Sequence, residues 1–196
     1  MKSHLNVNFF TEFIRKEVLT DLRLEDLKYW ISRFGFYDLI RPVGKDSYGN
    51  LSFRAEPGKN EFVITATKED FHDEKLTPTR FVKVVHCDIN NNKVRVHGLE
   101  NPSRDTFLHY LIYKNRPDIN AVFHGHCDRL DCEPGLNFVT TEKEQPWGSV
   151  ELAREVEKVL GKENFIIMRN HGFLALGKNI DDAGKTTLRA YQKCFQ

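Results

Sequence analysis

Apolar positions along this chain change period several times, and the changes divide it into elements. From Thr11 to Phe34, the residues Phe13, Ile14, Val18, Leu22, Leu27, Trp30 and Ile31 recur at spacings near three and four, which predicts a helical segment. A Gly-Asn turn then feeds an alternating strand in Tyr48-Gly-Asn-Leu-Ser-Phe-Arg54, and Glu61 to Thr65 reads as a second short strand. Phe81 to Val85 and Lys93 to Val96 look like two more, joined by a polar turn. At Asn101-Pro102 the helical period returns with Phe107, Leu108, Leu111 and Ile112. Ser103 is the expected N-cap of that helix. Asp105 falls in its first turn, where free backbone donors and the helix dipole favour a carboxylate. The strand Ala121 to Cys127 follows, then a helix from Leu152 to Leu160, strands at Phe165–Met168 and Phe173–Leu176, and a terminal helix from Ile180 to Lys193.

Strands crowd the middle, and helices lie before, between and after them. Several neighbouring strands have no room between them for a crossover helix, so a doubly wound parallel sheet fits poorly. The expectation is an α/β fold with a mixed, mainly antiparallel sheet flanked by helices. At 196 residues, with no Pro/Gly/Ser-rich linker, residues 1–196 are expected to form one domain. The 29 basic and 28 acidic side chains nearly cancel, which argues against a broad surface for nucleic acid. No signal-like apolar core opens the chain and no run of about 18 apolar residues interrupts it, so a cytoplasmic protein without a membrane partner is expected.

The candidate chemistry lies in Ala121-Val-Phe-His124-Gly-His126-Cys127. Alternate residues of a strand share a face, so His124 and His126 would point together and leave Gly125 opposite. Two imidazoles make half of a metal site, which needs at least one more protein ligand and an open position to do chemistry. His171 is the best candidate for the third, because Phe165-Ile-Ile-Met-Arg-Asn-His171-Gly172 is another apolar strand ending in His-Gly. Cys127 would face away from the imidazoles, and the spacing to Cys132 does not match a compact structural zinc pair. With Cys87 and Cys194 they make no disulfide framework.

Read in order, Gly49-Asn-Leu-Ser-Phe-Arg54, Thr65-Ala-Thr67, Pro102-Ser-Arg-Asp105, His124-Gly-His126 and Asn170-His-Gly172 resemble the class II aldolase and adducin head-domain family. Its members include fuculose-phosphate aldolases and ribulose-phosphate 4-epimerases. The resemblance runs from about Thr11 to Ala190 and implies a three-layer fold. It also implies a divalent ion held by His124, His126 and His171. Zinc is the first expectation, with manganese, cobalt, iron or nickel as alternatives. Such an ion polarises the carbonyl and adjacent hydroxyl of a ketose phosphate, so that cleavage leaves an enediolate. A homotetramer is implied as well.

The resemblance further gives Asp105 the place of the family's acid/base carboxylate, which is usually Glu in the aldolases and more often Asp in the 4-epimerases. Asn50, Ser52, Thr67 and Ser103 match positions that help cradle the substrate phosphate, work suited to short donors and exposed N–H groups. Two departures stand beside them: Lys68 replaces the glycine of a Thr/Ser-Gly turn, and Arg104 replaces the second serine of Ser-Ser-Glu. These cations would either strengthen phosphate binding or reshape the pocket for a carboxylate. Tyr48, Tyr113 and Trp147 are the available aromatic contacts. The expected function is a metal-dependent aldolase acting on a small ketose or ketose phosphate. The rivals are a 4-epimerase, a thiosugar-phosphate dehydratase, and a non-catalytic adducin-like interaction domain.

Overall fold

The computed structural model describes residues 9–43, 46–67, 76–127, 130 and 137–194, with residues 41–43 and 46–48 described by their backbone alone. Its strands are β1 (Phe10–Arg15), β2 (Arg41–Val43), β3 (Asp46–Tyr48), β4 (Asn50–Arg54), β5 (Phe62–Thr65), β6 (Phe81–Asp88), β7 (Lys93–His97), β8 (Ala121–Gly125), β9 (Val139–Thr140), β10 (Phe165–Met168) and β11 (Gly172–Gly177). The helices are α1 (Leu24–Phe36), α2 (Thr106–Asn115), α3 (Val150–Val159) and α4 (Ile180–Lys193). Nine strands form one sheet in the order β1-β7-β6-β5-β4-β8-β11-β10-β9, while β2 and β3 pair separately. Only β1 with β7 and β9 with β10 run parallel, so the sheet is mixed and mainly antiparallel, as the strand spacing predicts.

The period-two alternation of the strands divides the interior into two cores. Leu51, Phe53, Ala121, Phe123, Phe173 and Ala175 face α1 and α4 and meet Leu27, Ile31, Phe34 and Ala183 there. Their sheet neighbours Ile64, Val122, Leu174 and Ile166 face the other way, against Phe107, Leu111 and Ile112 of α2 and Leu152 and Val156 of α3. Three layers result, with helices covering both faces. Ser149 caps α3 by accepting from the Leu152 N–H at 3.0 Å, and Asn179 caps α4 by accepting from the Asp182 N–H at 2.8 Å. Among the described residues no helix is long and apolar enough to cross a membrane.

Two local expectations are corrected and a third holds. The segment predicted as one helix from Thr11 to Phe34 holds a strand and then a shorter helix starting at Leu24. The open edge of β7 takes up the backbone of residues 10–15, and Glu12 sits 2.8 Å from both Lys93 and Arg95 across that pairing, a tertiary pairing that outweighs the local helical spacing. The turn expected at Gly49-Asn50 is present: Gly49, at φ 113°, ends β3 before the alternating strand β4 begins. Ser103 is not the N-cap of α2: Asp105 holds that position without a side-chain capping bond, and Ser103 Oγ accepts from the Asp105 N–H at 3.3 Å.

Candidate metal centre

His124 is the fourth residue of β8, and its ring points to the α2 side of the sheet; His126 lies just beyond the strand end, where its N–H donates to Leu39 O at 2.8 Å. His171 arrives from the neighbouring hairpin. Its three-residue loop, 169–171, turns through Asn170 at φ 54°, a conformation asparagine tolerates, and the His171 N–H closes the turn onto Met168 O at 3.0 Å. The hairpin then pairs β11 with β8, so Leu174 lies opposite His124. Close approach is possible because both crossing points are glycines. A Cβ added at Gly172 would stand 2.5 Å from Gly125 O, and one added at Gly125 would stand 2.8 Å from Leu39 O.

One ligand nitrogen from each of the three rings lies within 4.8 Å of the others. The Nε2 atoms of His124 and His126 are 3.1 Å apart, near the edge of about 3.3 Å that a tetrahedral ion with ordinary metal–imidazole bonds requires. His124 Nδ1–H donates to Phe173 O at 2.9 Å, which leaves Nε2 with the lone pair that can ligate. Burial, and then the neighbouring His124, hold His171 well below the ordinary histidine range, so it is a neutral ring fit to ligate. Trp147 stacks on His171 with centroids 5.8 Å apart and fixes the outer side of that ring. Cys127 is buried in the α1-side core and does not join the cluster, and Cys132 lies outside the described residues.

Asp105 completes the centre from the start of α2. Its Oδ2 accepts from Asn50 Nδ2 at 2.6 Å and stands 3.8 Å from His124 Nε2. Asn50 is directly opposite His124 in the β4–β8 register, which accounts for its reach. Asn50 Oδ1, Asp105 Oδ1 and His171 Nδ1 are buried without a hydrogen-bond partner. Buried polar atoms are rarely left this way, and their convergence beside three imidazoles fits a place where a bound ion and an oxygen-rich ligand complete the bonding.

The residues expected around the phosphate divide. Thr67 donates its N–H to Asn101 O at 2.9 Å, and Ala66 bridges to Pro102, which sets Thr67 beside the Ser103-Arg104-Asp105 turn. Ser103 is buried in that turn, whereas Arg104 is exposed, against the backbone of Gly148. Lys68 falls outside the described residues. Ser52 is elsewhere: it shares Asn50's face but lies deeper under α2, fully buried, with Oγ 2.7 Å from both His109 Nδ1 and the Tyr113 hydroxyl. Tyr113 is therefore an interior residue and not a substrate contact. His109 belongs to no motif in the sequence; its one local signal is its place four residues after Asp105, on the same helix face.

The sequence signature of the Class II Aldolase and Adducin N-terminal domain matches residues 43–130 and 135–194. The chain belongs to this family. An L-fuculose phosphate aldolase of Methanococcus maripaludis is 34% identical over 164 residues, 75% of this chain and 81% of that protein. A 5-methylthioribulose-1-phosphate/5-deoxyribulose-1-phosphate aldolase of Escherichia coli is 27% identical over 183 residues, covering 78% and 76%. Among solved structures, an L-fuculose 1-phosphate aldolase superposes with a TM-score of 0.72 at 23% identity, over 90% of this chain and 84% of the other. The class II aldolase fold expected from the motifs is thus the fold observed, and the histidine cluster sits on it as a group able to hold a divalent ion.

Proposed function

We propose that the protein is a metal-dependent aldehyde lyase that cleaves a small ketose phosphate, or joins its two fragments in reverse. The observation that carries this reading is the convergence of His124, His126 and His171 with Asp105 standing 3.8 Å from His124 Nε2. A divalent ion on the three imidazoles, zinc first among the metals this donor set suits, would supply Lewis-acid stabilisation of the negative charge that develops on the substrate's carbonyl and neighbouring hydroxyl oxygens. Three neutral ligands preserve most of the ion's charge for that work. Asp105 moves the proton: Oδ2 is committed to Asn50, and Oδ1 remains to take it from the substrate and return it. Arg104, Thr67 and Ser103 are assigned to the phosphate, together with Lys68 on its sequence position alone, and Trp147 to excluding water from the outer side of His171. The working assembly in this reading is a homotetramer in the cytoplasm.

Aspartate in place of the aldolases' glutamate favours one rival, a 4-epimerase that makes and remakes the same bond. Product analysis separates them, since cleavage yields two fragments, epimerisation keeps the mass, and dehydration loses water. The test begins with elemental analysis of protein purified without chelator or metal-affinity tag, followed by a product-resolved screen of ketose phosphates. About one transition metal per chain is expected. Any single histidine replaced by alanine should lose most of the metal and at least about a hundredfold of activity. Asp105→Asn should keep the metal and lose the activity. A wild type that arrives without metal and takes up no added zinc, manganese, cobalt or iron overturns the reading in favour of an adducin-like interaction role.

A further inference from the structure

Behind the centre, two polar contacts tie β4 to α2 as the rungs of a ladder. Asn50 and Ser52 are two residues apart on one face of the strand; Asp105 and His109 are four apart on one face of the helix. Asn50 Nδ2 meets Asp105 Oδ2 at 2.6 Å, and Ser52 Oγ meets His109 Nδ1 at 2.7 Å. One turn farther along α2, the Tyr113 hydroxyl reaches the same Ser52 oxygen at 2.7 Å. His109 and Ser52 are fully buried and Tyr113 is 1% exposed, so no water competes for these bonds. The first rung belongs to the centre. The second touches neither the ligand histidines nor the open side of the site, and the proposed reaction gives it no task.

Placing a histidine, a serine and a tyrosine hydroxyl in an apolar interior is costly unless they are mutually satisfied, and a leucine would fill the space more simply. Ser52 Oγ lies 2.7 Å from both His109 Nδ1 and the Tyr113 hydroxyl and donates to Val122 O at 3.4 Å, which joins the three side chains in one hydrogen-bonded chain. His109 Nε2 is buried without a hydrogen-bond partner, so the contact at Nδ1 is what holds the ring. Burial depresses its affinity for a second proton to a pKa of about 3, which rules it out as a proton carrier near neutral pH and leaves it a fixed dipole. A rigid contact of this kind limits both rotation of α2 about its axis and its slide along β4. Those are the two motions that would carry Asp105 away from His124.

We propose that His109 is a positioning residue for Asp105, the Tyr113–Ser52–His109 chain holding the first turn of α2 in register with β4 so that the Asn50–Asp105 contact and the separation of Asp105 from His124 are fixed. This rests on the reading of Asp105 as the proton-transfer group, but the coupling between the rungs can be measured without activity. In the metal-loaded wild type the Asn50 side-chain amide, bound to a buried carboxylate, is expected to exchange slowly with solvent. His109→Leu should accelerate that exchange by about tenfold or more with metal content unchanged. His109→Asn, which keeps a polar group at the Nδ1 position, should restore most of the protection. In turnover, His109→Leu should lower kcat about 10- to 100-fold with KM changed less than about threefold, and His109→Asn should recover much of it.

Tyr113→Phe, which removes one hydroxyl from the chain and nothing else, gives a smaller change in the same direction and keeps the test in hand if His109→Leu fails to fold. Unaltered Asn50 exchange and kcat in folded, metal-loaded His109→Leu overturn the proposal. Loss of metal from that variant also overturns it, because the ring would then serve the ligand histidines. A wild type that binds metal but cleaves no ketose phosphate refutes the assigned reaction, while the Asn50 exchange still decides whether the two rungs are coupled.

Discussion

Replacing Gly172 with alanine probes the contact that brings His171 to His124. The added Cβ would stand 2.5 Å from Gly125 O and 3.2 Å from His124 Cε1. A carbon–oxygen contact needs about 3.3 Å, so β11 and β8 must separate by roughly 0.8 Å at the end that carries the ligands. The clashing oxygen belongs to the backbone of a central strand and cannot swing aside as a side chain would. Overpacking of this kind costs about 1–3 kcal/mol, and the upper half of that range is expected here. For a chain of this size that corresponds to a fall in Tm of roughly 5–10 °C, measured with chelator present so that lost metal does not add to it. The same displacement moves His171 relative to its partners, and metal affinity should weaken about 10- to 100-fold in a competitive chelator titration. Gly161→Ala is the control, since a Cβ there meets nothing within 4 Å; it should be neutral or slightly stabilising. If Gly172→Ala matches Gly161→Ala in both Tm and metal affinity, the close-approach argument is wrong.

Two further predictions concern the interior. His109 carries a pKa of about 3 through burial, against about 6.5 in the unfolded chain. The unfolded state therefore binds more protons between those values, and stability is full above about pH 6.5 and lost as pH falls toward 3, by up to about 1.4 kcal/mol per unit. Denaturant titrations in chelator at a series of pH values should show a shallower loss in His109→Asn than in wild type; equal slopes would refute the assignment. Arg54, 1% exposed, donates to Ile119 O at 2.9 Å, to Tyr113 O at 2.9 Å, to Arg116 O at 3.0 Å and to Lys59 O, closing the C-terminal end of α2. Arg54→Leu strands these carbonyls and should cost at least about 3 kcal/mol in urea unfolding, and a loss below about 1 kcal/mol would show that water replaces the guanidinium.

Much of the molecule is written in local pattern. The strands at 50–54, 62–65 and 165–168 follow from short apolar or alternating runs, and α4 from its 3.6-residue period, because each pattern is complete within a few consecutive residues. The histidine cluster was legible from the same kind of local pattern: a strand's alternation puts His124 and His126 on one side whatever else the chain does. The resemblance of ordered motifs then gave the family and placed Asp105 at the centre. Pairing partners are not local. Residues 10–15 have a helical spacing but become a strand because β7 offers an unpaired edge, and Ser103 leaves the cap position because the turn beneath it is tied to Thr65 O by its own N–H. Depth is not local either. Asn50 and Ser52 look equivalent along the chain, yet the first reaches the Asp105 carboxylate and the second disappears under α2 to bind His109. Sequence by itself determined which residues alternate, since that follows from covalent spacing; only the tertiary structure decided which alternating residue meets Asp105 and which meets a buried histidine, because that depends on where α2 crosses the sheet.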